Sequence, residues 1–208
     1  MQKHSIAVLS DVHSYYQELK CVVEHCLSNG VTDFIVLGDV VYGGSEPGKS
    51  LELLHSLNTL AWIRGNTDDW VIFEEKWKEA WEAGHLEEGN NKNHSLSNDE
   101  VTFLRNLPIC QKIELDGYQV TCCHGSPKSN KEGIEEYIKS CSLNPLDSDL
   151  LLCGHTHKPA IFEHEGVIVF QVGSTGIKNT HTDDKLNYGL IEISEDEIKC
   201  SQVYINFK

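Results

Sequence analysis

Ile6-Ala7-Val8-Leu9, Phe34-Ile35-Val36-Leu37 and Leu60-Ala61-Trp62-Ile63 are the stretches whose reading decides the fold. Each is a four-residue apolar run bounded by polar residues, the pattern of a strand buried on both faces. Between the first two, Leu19, Val22, Val23, Cys26 and Leu27 recur at helical spacing, and Gly30 stops them. Ser14 with Gln17 three residues on predicts a capping box at that helix's start. Between the second and third, Pro47 opens a helix carrying Leu51, Leu54 and Leu57 on one face. A βαβαβ succession requires parallel strands with helices packed on the sheet.

Outward from this core, Trp70, Phe73, Trp77 and Trp81 recur at spacings of three and four, which predicts an aromatic stripe facing the core. Residues 84–98 are polar and contain Gly89-Asn90-Asn91, so an exposed loop is expected there. Ser97 and Glu100 form a second capping box before Val101, Leu104 and Leu107, and Pro108 ends that helix. The later sequence is strand-rich. Residues 112–123 read as a hairpin turning at Asp116-Gly117, and residues 161–172 as another turning at Glu165-Gly166. Leu150-Leu151-Leu152-Cys153 is a further buried strand, and residues 188–193 pair with 198–205. The fold class expected is α/β: a two-sheet β-sandwich flanked by helices. No linker divides it, so one domain over residues 1–208 is expected.

The chain has 208 residues, 39% of them hydrophobic and 24% charged, inside the globular range. Its 17 Lys+Arg against 32 Asp+Glu leave a formal charge of −15, which disfavours a nucleic-acid polymer or an anionic membrane as partner. A small phosphate ester stays compatible, provided something other than Lys and Arg supplies the positive charge. The run Ile6 to Leu9 is too brief for a signal segment, and no stretch approaches the roughly 20 apolar residues of a membrane span. The eight cysteines contain no C-x-x-C and read as reduced, packed thiols, which predicts a cytoplasmic protein.

Chemistry-bearing residues follow the strands. Asp11-Val12-His13 succeeds the first run, Gly38-Asp39 the second and Gly65-Asn66 the third. Parallel strands end side by side along one sheet edge, where ligand sites gather. An extended D-x-H would turn both side chains the same way. His124-Gly125 and Gly154-His155-Thr156-His157 follow two later strands. The inventory is Asp11, His13, Asp39, Asn66, His124, His155 and His157. Seven N/O donors exceed the four that close a structural zinc site and suit two ions sharing a carboxylate.

The ordered set D-x-H, G-D, G-N-x-D, H-G and G-H-x-H resembles the calcineurin-like metallophosphoesterase superfamily, and its short surroundings are similar to the small bacterial and archaeal phosphodiesterase branch. The resemblance covers Asp11 to His157 and implies an α-β-β-α four-layer sandwich. It further implies a dinuclear phosphoesterase, with phosphodiesters preferred over monoesters and a bridging water as nucleophile. Asp11, His13, Asp39 and His157 would hold one ion, and Asp39, Asn66, His124 and His155 the other. Asp39, Asn66, Asp68 and His124 would serve catalysis. Manganese is the expected metal, with iron, zinc or nickel as alternatives, because imidazole and carboxylate together suit them better than magnesium or calcium.

Two positions depart from the family pattern. Thr67 stands in Gly65-Asn66-Thr67-Asp68 where many members carry a histidine that assists the leaving group. A histidine placed there is expected to be oriented by Asp68. Val172-Gly173-Ser174 replaces an N-P-G-S turn, whose backbone role survives such a change. A non-catalytic scaffold, similar to one retromer subunit, and a protein phosphatase are the competing functions. His25 and His55 read as packed or solvated helix residues, and His94 and His164 as loop residues. His181 is a possible visitor to the site. Arg64, Lys128 and Lys158 flank motifs and either touch phosphate or are solvated surface charges.

Overall fold

The computed structural model describes residues 4–86, 96–178, 180–195 and 197–207. The three apolar runs become β1 (His4–Leu9), β2 (Asp33–Val36) and β3 (Thr59–Trp62), parallel neighbours separated by α1 (Tyr16–Ser28) and α2 (Pro47–His55). Then follow α3 (Asn66–Ile72), α4 (Glu74–Glu82) and α5 (Asn98–Asn106). The second half contains β4 (Cys110–Leu115), β5 (Tyr118–Cys123), α6 (Ile134–Tyr137), β6 (Leu150–Cys153), β7 (Ala160–His164), β8 (Val167–Gln171), β9 (Leu186–Ile193) and β10 (Ile198–Ile205). One sheet has the order β10-β9-β1-β2-β3 and the other β4-β5-β6-β8-β7. The second sheet keeps β5, β6 and β8 parallel, while its edge strands β4 and β7 run antiparallel. This is the two-sheet α/β sandwich expected.

Strand alternation divides the core. Ile6, Val8, Ile35 and Leu37 face the second sheet's Val120, Cys122, Leu150, Leu152 and Phe170. The alternate residues Ala7, Leu9, Phe34 and Val36 pack under Leu19, Val22, Val23 and Cys26 of α1 and Leu51 and Leu54 of α2. On the far side, Leu151, Cys153 and Val169 meet Ile134 and Tyr137 of α6. Each large apolar side chain buried this way stabilises the fold by about 1.5–3 kcal/mol.

Two local expectations fail. Helix α1 begins at Tyr16 with no side-chain cap. Ser14 is instead left-handed (φ 61°); its amide donates to the Val40 carbonyl (2.8 Å), and its own carbonyl accepts from Glu46 (3.3 Å). Pairing between loops displaces the capping box. The aromatic stripe also breaks: Phe73 is extended (φ −122°, ψ 124°), which resets the helical phase between α3 and α4. Trp70, Phe73 and Trp77 pack on the core. Helix α4 turns Ala80 inward and leaves Trp81 53% exposed. The second capping box forms as expected, with Ser97 Oγ accepting from the Glu100 amide at 3.2 Å. The Gly89-Asn90-Asn91 loop and His94 lie outside the described residues.

His25 and His55 prove to be packing residues, one against the Tyr188 hydroxyl (3.2 Å) and the other between the Trp62 and Phe103 rings. All eight cysteines are free, and Cys26, Cys122, Cys123 and Cys153 are buried. Burial pushes the Cys26 thiol up to about 12, so it stays protonated and unreactive. Thiol titration of the denatured, unreduced protein is expected to find all eight; four disulfides would refute the packing role. Among the described residues, no helix is long and apolar enough to cross a membrane.

Candidate metal centre

Five strand ends deliver the candidate ligands: β1 leads to Asp11 and His13, β2 to Asp39, β3 to Asn66, β5 to His124, and β6 to His155 and His157. The loops continue the ladder beyond the strands. Asp11 donates its amide to Gly38 O (3.1 Å), His13 to Asp39 O (2.8 Å), and Gly154 to His124 O (2.7 Å). The expected extended D-x-H and H-x-H geometry is absent. Asp11, His13, Asp39, His155 and His157 all have φ between 51° and 70°. The chain curls at each of them, in a sparsely allowed region that inter-loop hydrogen bonds must hold.

Close approaches enforce the motif glycines. A Cβ on Gly65 would lie 2.0 Å from Asp39 Oδ1, and one on Gly154 would lie 1.9 Å from Ser10 Oγ. The loops touch backbone to side chain there, so only glycine fits.

The two carboxylates stand among the imidazoles. Asp11 Oδ2 accepts from Ser10 Oγ (2.6 Å) and from the His155 amide (3.1 Å). Asp11 Oδ1 is buried. It lies 3.1 Å from His157 Nε2, 3.8 Å from His13 Nε2 and 4.0 Å from His124 Nε2. Asp39 Oδ1 accepts from the Thr67 amide (2.8 Å). Its Oδ2 lies 3.3 Å from His124 Nε2 and 3.8 Å from His13 Nε2.

Main-chain carbonyls orient two of the rings. His124 Nδ1 sits 2.7 Å from Leu37 O and His13 Nδ1 3.1 Å from Tyr42 O. A ring donating from Nδ1 in its neutral form presents an Nε2 lone pair to the cluster. The His13 and His157 Nε2 atoms approach to 3.2 Å. The Asn66 amide oxygen faces further lone pairs: His155 Nδ1 at 2.9 Å, His124 Nε2 at 3.2 Å and Asn130 O at 3.1 Å. Hydrogen bonding alone would turn the amide nitrogen toward those acceptors. Carboxylate oxygens, imidazole nitrogens and an amide thus converge on one buried spot, a donor set that fits cations.

Charges reflect the same crowding. Burial opposes ionisation of Asp11, yet the imidazoles, His157 foremost, hold its pKa below the usual carboxylate range. Burial likewise resists a charge on His124, but Asp39 and Asp11 outweigh it and raise its pKa to about 10. Burial keeps His13 low. Among the described residues, two groups of donors lie close enough to hold an ion, and they share Asp11: Asp11, His13 and His157, and Asp11, Asp39 and His124.

Asp68 is fully buried and holds loops rather than facing a ligand. Its oxygens accept from the amides of Asp39 (3.0 Å), Val40 (2.9 Å), Val41 (3.0 Å) and Gly65 (2.9 Å). Burial and the Asp39 charge raise its pKa to about 7, against the pull of those amides. Thr67 Oγ1 donates to Val41 O (2.9 Å), so its hydroxyl is committed to the main chain. Arg64 is committed too, to Asp69 Oδ1 and to the Arg105 and Leu107 carbonyls, each at 2.7 Å. Lys128 lies over the Tyr137 ring, and Lys158 and His181 are exposed. The turn around Ser174 pairs main chain to main chain with the end of β1, Thr175 donating to Ser10 O (2.8 Å) and Gly176 to Asp11 O (3.1 Å), and Ser174 Oγ adds a bond to Asp11 O at 2.7 Å.

Sequence reasoning missed Ser10 and Asn130. Ser10 fixes Asp11 from the preceding position, a serine that any strand end offers. Asn130 is buried and donates to Asp69 Oδ2 (2.8 Å), which brings its carbonyl to Asn66 across 64 residues of chain. No local spacing encodes that contact.

Known proteins share this fold and sequence family. A solved structure of a hypothetical protein from Pyrococcus horikoshii superposes with a TM-score of 0.79 at 18% identity, covering 98% of this chain and 88% of its own. A metallophosphoesterase from Sphaerobacter thermophilus superposes at 0.71 with 22% identity, covering 97% and 88%. An uncharacterised protein of Methanocaldococcus jannaschii is 30% identical over 175 residues, 83% of this chain and 70% of that one. The family model for the calcineurin-like phosphoesterase superfamily domain matches residues 5–196. The chain therefore belongs to the calcineurin-like phosphoesterase superfamily.

Proposed function

We propose that this chain is a dinuclear metal-dependent phosphodiesterase acting on small phosphate esters. Asp11, His13, Asp39 and His157 would hold one ion, and Asp39, Asn66, His124 and His155 the other. The observation that carries the reading is Asp11 Oδ1, a buried carboxylate oxygen ringed by three imidazole nitrogens, His157 at 3.1 Å, His13 at 3.8 Å and His124 at 4.0 Å. A cation among these groups would take the place of the imidazole protons as the carboxylate's partner, so metal and protons compete for one set of donors. When present, two divalent ions supply positive charge to a phosphoryl group and acidify water.

The chain's own residues prepare the site. Ser10 and the His155 amide fix one oxygen of Asp11 and leave the other free. The Thr67 amide does the same for Asp39, whose free oxygen lies between His124 and His13. Asp68 is a positioning residue that ties the Asp39 loop to the Asn66 loop. The mixed imidazole, carboxylate and amide donors suit manganese, iron, zinc or nickel. With a net charge of −15, the protein repels polyanions, so the substrate is a small ester rather than a nucleic-acid polymer.

Chelator-stripped protein reloaded separately with Mn²⁺, Fe²⁺, Zn²⁺ and Ni²⁺ tests this by metal analysis and turnover of bis-p-nitrophenyl phosphate. Two ions per chain and chelator-sensitive turnover are expected. Two ions with no turnover of any phosphoester would assign the chain a scaffold role instead.

A further inference from the structure

A cavity of about 520 Å³ opens beside the candidate centre, with Asn66 and His155 in its wall. Its volume suits a small organic group. Trp70 and His85 line it with parallel rings, 2° from coplanar and 6.0 Å between centroids. Trp70 is braced edge-on by Tyr42 at 5.4 Å, whereas His85 is exposed. The same cavity carries Lys131 and Glu79, a 3.2 Å ion pair whose side chains are 46% and 52% exposed, Glu79 also accepting from Lys76 at 3.0 Å. An offset aromatic pair offers a flat surface for stacking, and the ion pair offers a donor and an acceptor beside it.

A phosphate held at Asn66 and His155 would place one ester arm in this cavity. An aliphatic arm would leave the ring surface unused. A plain phenyl arm would use the rings but not the ion pair. A heteroaromatic base engages both. We infer that the cavity binds the nucleoside arm of a small phosphoester, the base stacking on Trp70 and His85 with its polar edge at Lys131 and Glu79. This rests on the phosphodiesterase reading for the position of the phosphate, while the contact with the base stands apart from it.

Calorimetric titration of adenosine and of ribose into the chelator-stripped full chain tests the base contact with neither phosphate nor metal involved. Adenosine is expected to bind at least about 5-fold more tightly than ribose. His85→Ala and Trp70→Leu should each shrink that ratio toward one, and the exposed Trp81, absent from the cavity wall, should keep it as Trp81→Ala. His85→Ala removes an exposed ring, and an unchanged thermal unfolding curve would separate lost binding from lost folding. Equal affinities, no measurable adenosine binding, or a His85→Ala protein that binds as wild type would overturn the inference. Turnover of bis-p-nitrophenyl phosphate without any adenosine preference would remove the nucleoside site alone. Adenosine preference without turnover under any metal would uphold the site and remove the phosphodiesterase reading.

Discussion

Asp39→Asn is expected to lose at least one metal ion per chain and to lower kcat/KM for an aryl phosphodiester by about 10²–10⁴-fold, the scale of several kcal/mol of lost charge stabilisation. The reason is the division of labour between its two oxygens. Oδ1 accepts the Thr67 amide, and Oδ2 stands 3.3 Å from His124 Nε2 and 3.8 Å from His13 Nε2. Asparagine has one carbonyl oxygen and an amide nitrogen. With the oxygen accepting from the Thr67 amide, only the amide nitrogen faces the imidazoles, so the second oxygen ligand and the negative charge are both gone. Metal content by atomic emission together with steady-state kinetics checks this. Two ions retained at full turnover would sink the dinuclear assignment.

Leaving-group dependence is the second large effect. Ester cleavage needs the departing oxygen either protonated or already a weak base, and general-acid help is typically worth about 10²–10⁴-fold. Thr67 occupies the position where a histidine would give that help, and its hydroxyl is buried and donated to Val41 O. Aryl phosphodiesters should therefore turn over well and alkyl phosphomonoesters poorly, by a factor in that range. The expectation that Asp68 would orient a histidine at position 67, and so let Thr67→His narrow this gap, does not survive the structure. Asp68 would have to orient the new ring, and its oxygens are engaged by four main-chain amides. The substitution is expected to leave the gap and to disturb the Asp39 loop. A series of p-substituted aryl and alkyl esters, run on both proteins, gives the slope. A wild-type slope of zero would reveal an acid elsewhere.

The parts of the fold legible in the sequence are those governed by short-range pattern. The runs of β1 and β2 are buried on both faces as four apolar letters suggest, but β3 lies at the sheet edge and leaves Leu60 36% exposed, so there the same pattern overstated burial. The hairpin turns at Asp116-Gly117 and Glu165-Gly166 place both residues at positive φ, which glycine and aspartate favour and which Glu165 adopts only because the two-residue turn requires it. Failures came where a distant partner outbid a local one. Ser14 is a sound capping residue, but Val40 and Glu46 claim its backbone from another loop. Trp81 fits the helical period until Phe73 interrupts it. At the site, residue type and strand ends placed the donors, since parallel strands must finish together. The curl of each ligand loop was invisible, because nothing in D-x-H or H-x-H specifies a left-handed backbone. Asn130 was invisible for the same reason, since its role exists only after the chain has folded.

The left-handed ligand positions also restrict how this sequence can drift. A β-branched residue at Asp11, His13, Asp39, His155 or His157 would meet a backbone it cannot adopt without strain, whatever became of the metals. Asparagine and glycine tolerate that backbone. Descendants that abandon catalysis yet keep the fold are thus channelled toward Asn or Gly at these five positions, and a valine or isoleucine there marks a loop that has been rebuilt.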